Sequence, residues 1–408
     1  MENIIPFKKA DILLPKENFT KWSVIACDQF TSDKHYWSET EKAVGSASST
    51  LHITLPEIYL EEDSVEQRIK DINNKMTEYI NSGVFNEYKD ALIYIERRQP
   101  DGRIRAGIVG AVDLEEYEYT KGSKKMIRAT EGTVLERIPP RVKIRKDAPL
   151  ELPHIMLLID DTEKTVIEPL ASEKDNMTKL YDFDLIMDGG HIEGYLIDPN
   201  NTAKVLDGLK NLCSKEEKPL LFAVGDGNHS LATAKACYEI IKKDDPDNAI
   251  NHPARYALAE IGNIHGYALD FEPIYRVLFS VSPEHVLSKL KEYFSHNDVN
   301  TEISYSFKGQ EGRVSIFVPE NKLAVGVLQE FIDSYIKENP QARVDYIHGI
   351  EDVKKLSKKE NTIGFIFDGI SKETLFESVK NTGALPRKTF SMGEARDKRY
   401  YLECRKIK

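Results

Sequence analysis

An acid, an amide, an imidazole and a hydroxyl follow one another in Asp226-Gly227-Asn228-His229-Ser230, with Gly225 just before them. Asp226 or His229 could serve as general base, an imidazole being suited to that role near neutral pH. Gly225 and Gly227 let the backbone approach a ligand closely and adopt positive φ where a turn needs it. Leu220 to Val224 is an apolar run that reads as a buried strand, and Leu231, Ala234 and Tyr238 recur at helical spacing after the turn. Such a strand, turn and helix start presents unpaired N–H groups and the positive end of a helix dipole, which suits an anion and above all a phosphate. The alternative is that Asp226 or Ser230 merely caps the helix.

Other polar groups sit where an α/β protein puts a site. Asp28 and Gln29 close the apolar run Trp22–Asp33, which reads as a short strand, and polar groups at a strand end commonly line a pocket; an Asx turn is the alternative. Arg128, Thr130, Glu131, Arg141 and Arg145 lie in a segment enriched in arginine, together with Arg137 and Lys143. Guanidinium forks match phosphate or carboxylate oxygens, although a charge-rich segment is often a solvated face. Glu260, Asn263 and His265 come close together in an apolar stretch, and His265 is the expected partner of His229. Arg387 and Lys388, near the end of the chain, could close over an anion or form an ordinary basic loop. Asp160 and Asp161 read as a turn rather than a Mg²⁺ site, and His191 as a structural histidine.

The elements that must position these groups follow from periodicity. Glu62 to Phe85 reads as an amphipathic helix with a Ser64/Gln67 capping box, and Ala91–Ile95 and Ile104–Val112 as a hairpin turning through Pro100-Asp101-Gly102. Helices at Pro283–Phe294 and Leu323–Lys337 alternate with strands at Arg313–Val318 and Thr362–Phe367. The fold class is α/β in the mixed α+β sense, with two or three packed subdomains. The expected divisions are 1–160, an α/β domain with the arginine-rich segment; 161–280, carrying the glycine turn; and 281–408, carrying the Pro386–Thr389 loop.

With 408 residues and a net charge of -11, the chain does not suit nucleic acid or an anionic membrane. Its four cysteines lack metal or disulfide spacing, and no metal site is expected from them. No apolar run approaches about 18 residues and no leader is visible, so a cytoplasmic location is expected.

Three segments together carry a resemblance: Asp226 to Ser230 after its apolar strand, Tyr346-Ile347-His348-Gly349 with acids following, and Pro386-Arg387-Lys388-Thr389. Over nearly the whole chain they resemble the domain-of-unknown-function family 1015. Its commoner form reads Asp-Gly-His-His-Arg, so Asn228 and Ser230 depart from it. About twenty residues around the turn are also similar to the ParB and sulfiredoxin-like strand-turn-helix motif, in a group that includes an ADP-dependent free-serine kinase. The resemblance implies a phosphate or nucleotide site at Asp226 to Ser230, with His348 among the substrate-binding residues. It also implies serine or phosphoserine as substrate, and ADP or ATP with Mg²⁺ as the cofactors to consider.

The expected function is a phosphotransferase or phosphohydrolase acting on a small phosphorylated or hydroxylated metabolite, with a homodimer as the assembly to consider. Kinase and phosphatase need the same cradle and are not separated by the sequence, which has no Walker A segment, kinase signature or dinucleotide fingerprint. The alternatives are a non-catalytic, ParB-like nucleotide-binding module and an interaction protein.

Overall fold

Period-two alternation in the apolar hairpin sets the architecture of its surroundings. Leu92 and Tyr94 pack with Ile108, Leu157 and Phe222 on one face of a sheet, whereas Ile93 and Ile95 pack with Val109, Leu258 and Tyr181 on the other. Strands buried on both faces need cover on both, and helices supply it. The computed structural model describes residues 5–31, 33–120, 122–132, 138–213, 219–320, 322–386 and 388–408. These form two units, Met1–Leu269 with Gly393–Lys408, and Asp270–Met392.

Among the described residues the first unit has a ten-stranded mixed sheet. Its strands are β1 (Phe7–Lys8), β2 (Ile93–Arg98), β3 (Ile104–Asp113), β4 (Tyr117–Glu118), β5 (Ile127–Ala129), β6 (Met156–Ile159), β7 (Thr178–Asp184), β8 (His191–Leu196), β9 (Phe222–Asp226) and β10 (Tyr256–Asn263). They lie in the order β7-β8-β2-β3-β10-β6-β9-β5-β4, with β1 on β3. Segments 1–160 and 161–280, expected to be separate domains, both contribute strands to this sheet. Pairing between strands distant in sequence leaves no local mark of composition by which a boundary could be read.

Helix α1 (Val65–Asn81) covers one face with Ile69, Ile72, Met76 and Tyr79. Helices α2 (Ile138–Arg145), α3 (Pro199–Cys213) and α4 (Asn228–Asp244) follow, and α4 buries Leu231, Ala234 and Tyr238 on the opposite face. The expected capping box of α1 does not form. Ser64 donates its hydroxyl to Glu62 and Gln67 its amide to Asp71, because carboxylates within reach compete with the backbone. Among the described residues, the strand expected over Trp22–Asp33 reduces to a single bridge of Ile25 with Tyr400, after a helical turn at Phe19–Trp22.

The second unit is built on β11 (Phe271–Phe279), β12 (Thr301–Phe307), β13 (Gln310–Ile316), β14 (Arg343–His348) and β15 (Thr362–Ile366), ordered β13-β12-β15-β11-β14, with Phe390–Met392 also on β11. Helices α5 (Pro283–Tyr293) and α6 (Ala324–Glu338) pack Val286, Leu290, Leu328 and Phe331 against Val277, Ile303 and Phe365. No helix among the described residues is long and apolar enough to cross a membrane.

Candidate active site

Strand β9 ends at Asp226, Gly227 turns at φ 81° and ψ 26°, and α4 begins at Asn228. That left-handed φ suits glycine, and a Cβ there would stand 3.0 Å from Ile155 Cα. As the N-cap residue of α4, Gly227 has no side chain with which to cap it. Asp226 Oδ1 instead accepts from the adjacent Gly227 N–H at 2.8 Å. The seventeen-residue helix thus starts from a residue with no side chain of its own to accept from its first-turn N–H groups. Asn228 Oδ1 is buried with no hydrogen-bond partner among the described residues.

The neighbouring strands bring the rest. β5 runs parallel to β9, and the Thr130 hydroxyl donates to Val224 O at 2.6 Å, so Glu131 follows beside the turn. β6 is antiparallel to β9, with Met156 opposite Asp226, which delivers His154 from its run-in. His154 Nε2 lies 3.4 Å from Ser230 Oγ and 3.4 Å from Asp28 Oδ2. Gln29 donates to the other Asp28 oxygen at 3.0 Å. On the far side of the ring, His154 Nδ1 meets the Tyr401 hydroxyl at 3.2 Å, and that hydroxyl donates to Cys27 Sγ at 3.0 Å. Lys398 Nζ completes the group, 3.2 Å from Asp226 Oδ2.

Charge follows position. Burial alone would lower the His154 pKa, but the Asp28 carboxylate, its hydrogen bond and Asp226 raise it. Burial alone would raise that of Asp28, yet the His154 charge and hydrogen bond, with Gln29 and Lys398, hold it below the usual carboxylate range. Burial, and then the Asp28 charge, push the Cys27 thiol up to about 11, so this cysteine is not a ready nucleophile.

A buried ionic framework fixes the segment that carries Lys398. Arg97, 1% exposed, donates to the carbonyls of Gly189, Arg396, Asp397 and Lys398. Arg105 donates to Asp397 O, and Glu260 lies between Arg105 and Arg399, at 3.3 and 2.8 Å. Arg399 also holds Pro153 O, next to His154, and Glu403.

Several residues expected at the site do other work. Glu260 belongs to that framework. Asn263 donates to Asp161 O and Glu168, and His265, expected to meet His229, pairs with Asp160 at 2.8 Å. β10 runs parallel to β6 with Asn263 opposite Ile159, so Asn263 lies at, and His265 beyond, the end of β6 opposite to the one that meets Asp226. Arg145 pairs with the buried Glu151, and Arg128 Nε donates to Lys125 O. Arg141 pairs with Glu57, whose N–H donates to Cys27 O, and its charge is felt at Cys27. His229 stands half-buried on the first turn of α4. His191 lies with Asp182 and Glu193, their ligand atoms within 4.8 Å of one another, but Lys179 Nζ already stands 2.5 Å from Asp182.

His348 and Lys388 belong to the second unit, where Arg276 connects their two motifs. It donates to Lys388 O at 2.9 Å and stacks over the Tyr346 ring at 4.7 Å. Arg387 and Arg137 lie outside the described residues.

Sequence reasoning missed His154, Tyr401 and Lys398. His154 hides in the run-in to an apolar strand, and Lys398 in Arg396-Asp397-Lys398-Arg399, a charge run of the kind that is ordinarily solvated. A buried arginine needs acceptors, and that requirement is invisible without the fold.

No curated protein matches the chain. Among solved structures, a free serine kinase in complex with AMP is similar at TM-score 0.40 and 11% identity, over 73% of this chain and 91% of that one. A conserved hypothetical protein from Pyrococcus furiosus gives TM-score 0.35 and 11% identity, over 72% and 90%. A C-terminally truncated SbnI from Staphylococcus aureus gives 0.36 and 8%, over 70% and 82%. At such TM-scores no activity is carried across. The family model described as protein of unknown function DUF1015 matches residues 4–406, and the chain belongs to that family.

Proposed function

We propose that the turn at Asp226 to Ser230 binds a phosphate and that the protein transfers a phosphoryl group to or from a small hydroxylated metabolite. The observation that carries this is the glycine-led N-terminus of α4 beside the ammonium of Lys398, whose backbone carbonyl is held by the buried Arg97. Backbone N–H groups and a fixed ammonium are what a transferring phosphoryl group needs as its charge develops. Asp226 positions the ammonium, and the buried Asn228 oxygen offers an acceptor to a substrate hydroxyl or amine.

Serine or phosphoserine as substrate and ADP or ATP as phosphoryl donor are proposed from the motif's likeness to the ParB and sulfiredoxin-like strand-turn-helix. Asp28 and Asp226 already face His154 and Lys398, so these donors do not fit a Mg²⁺ site as arranged, and no step is assigned to the metal. The test is to incubate the protein with phosphoserine, and with serine plus ADP or ATP, and follow phosphate by ³¹P NMR. Turnover in any pairing supports the proposal. Tight nucleotide binding without turnover would favour a binding module instead.

A further inference from the structure

We infer that His154 accepts the hydroxyl proton at this site through Nε2, by way of Ser230, and that Tyr401 fixes the tautomer that leaves Nε2 open. The identity of the hydroxyl rests on the phosphoryl-transfer reading; the tautomer is a property of the protein alone.

The hydrogen bonds around Tyr401 decide the tautomer. Its hydroxyl has one proton, donated to Cys27 Sγ at 3.0 Å, and it accepts from the Cys27 N–H at 3.2 Å. With the Tyr401 proton on Cys27, the remaining lone pair faces His154 Nδ1 at 3.2 Å, and that arrangement puts a proton on Nδ1. The neutral ring therefore turns a bare Nε2 toward Ser230 Oγ and Asp28 Oδ2, each 3.4 Å away. The Ser230 hydroxyl can donate to it. Once Nε2 gains a proton, the imidazolium donates to Asp28 instead.

The charged and titratable groups facing the ring are Asp28, Asp226, Arg399, Cys27 and Tyr401, with Lys398 acting on Asp28. The two carboxylates favour the imidazolium and Arg399 opposes it. In the forward step the substrate hydroxyl gives its proton to Ser230 Oγ while Ser230 gives its own to Nε2. The substrate oxygen keeps the electron pair with which it attacks phosphorus, and the oxygen that leaves phosphorus keeps the pair of the broken bond. Ser230 is unchanged overall. In the reverse direction the proton returns by the same path to the departing oxygen.

The experiment is ¹⁵N NMR of the full chain labelled at histidine, read on the alkaline side of the His154 transition. The His154 resonances are assigned by their loss in His154→Gln or, if that variant does not fold, by their response to Tyr401→Phe. Protonated Nδ1 and bare Nε2 are expected, with the opposite tautomer emerging in Tyr401→Phe. A wild-type ring protonated on Nε2 overturns the inference, whatever reaction the protein performs. Once turnover is measured, Ser230→Ala is expected to lower kcat about 100-fold with KM little changed, and Ser230→Thr to restore most of it. An unchanged kcat in Ser230→Ala also overturns the relay. The expected tautomer in a protein that moves no phosphate supports the proton assignment while removing the phosphoryl reading, so the two fail separately.

Discussion

Lys398 Nζ lies 3.2 Å from Asp226 Oδ2, and the carbonyl of the same lysine is held by the buried guanidinium of Arg97. The backbone that carries the cation beside the turn is therefore fixed by the fold. Charge-assisted contacts of this kind contribute about 1.5–3 kcal/mol, or roughly 10- to 100-fold in affinity. Lys398→Met should weaken binding of inorganic phosphate or ADP by that factor in calorimetric titrations, while the circular dichroism spectrum stays that of the wild type. Undiminished anion affinity in a folded Lys398→Met would remove Lys398 from the site.

Gly227→Ala should destabilise the chain by about 1–3 kcal/mol in urea unfolding, because φ 81° is unfavourable for a side chain and the added Cβ would press on Ile155 Cα at 3.0 Å. Gly102 offers the comparison. Its φ of 87° carries the same backbone strain, but a Cβ there meets nothing within 4 Å. Gly102→Ala should therefore cost less, and the difference measures how closely the turn packs on the run-in to β6.

The turn was legible in the sequence because everything that makes it is local: an apolar run, two glycines and helical spacing after Ser230. Asp28 stands out in the sequence as well, as a polar group at the end of an apolar run, although the run forms a single bridge at Ile25 among the described residues. What could not be read was convergence. His154 and Tyr401 are far apart in sequence and meet only through the pairing of β6 with β9 and the bridge of Ile25 with Tyr400. The arginine-rich segment misled for the same reason. Arg141 and Arg145 are engaged by Glu57 and Glu151, and a carboxylate distant in sequence gives no local sign that an arginine is taken.

The Asp28–His154 pair makes stability depend on pH at both ends. His154 has a raised pKa in the fold, so its contribution is complete below the ordinary imidazole value and is lost as pH rises through the folded value. Asp28 has a lowered pKa, so its contribution is present above the ordinary carboxylate value and is lost as pH falls through the folded one. The pair stabilises most in the window between the ordinary carboxylate and imidazole values. Asp28→Asn should lower the His154 midpoint in an NMR titration, each unit corresponding to about 1.4 kcal/mol. It should also flatten the fall in melting temperature between neutral and alkaline pH. A midpoint unmoved by Asp28→Asn would show that Asp226 alone holds the proton on the ring.

Glu260 and His265 are close in sequence and opposite in consequence. Glu260 is 1% exposed between Arg105 and Arg399, and these arginines outweigh the effect of burial and keep its pKa low. Removing one member of a buried ionic group leaves the others uncompensated, at a cost of about 3–5 kcal/mol. Glu260→Gln should therefore lower the unfolding free energy by that amount at neutral pH. The difference from wild type should narrow on acidification, as the native carboxylate is protonated. His265 pairs with an Asp160 that is 45% exposed, and a partly solvated pair contributes about 0–1 kcal/mol. His265→Ala should leave both stability and phosphate affinity near wild type. A His265→Ala protein that folds normally but binds phosphate tenfold more weakly would return His265 to the site from which its position past the end of β10 separates it.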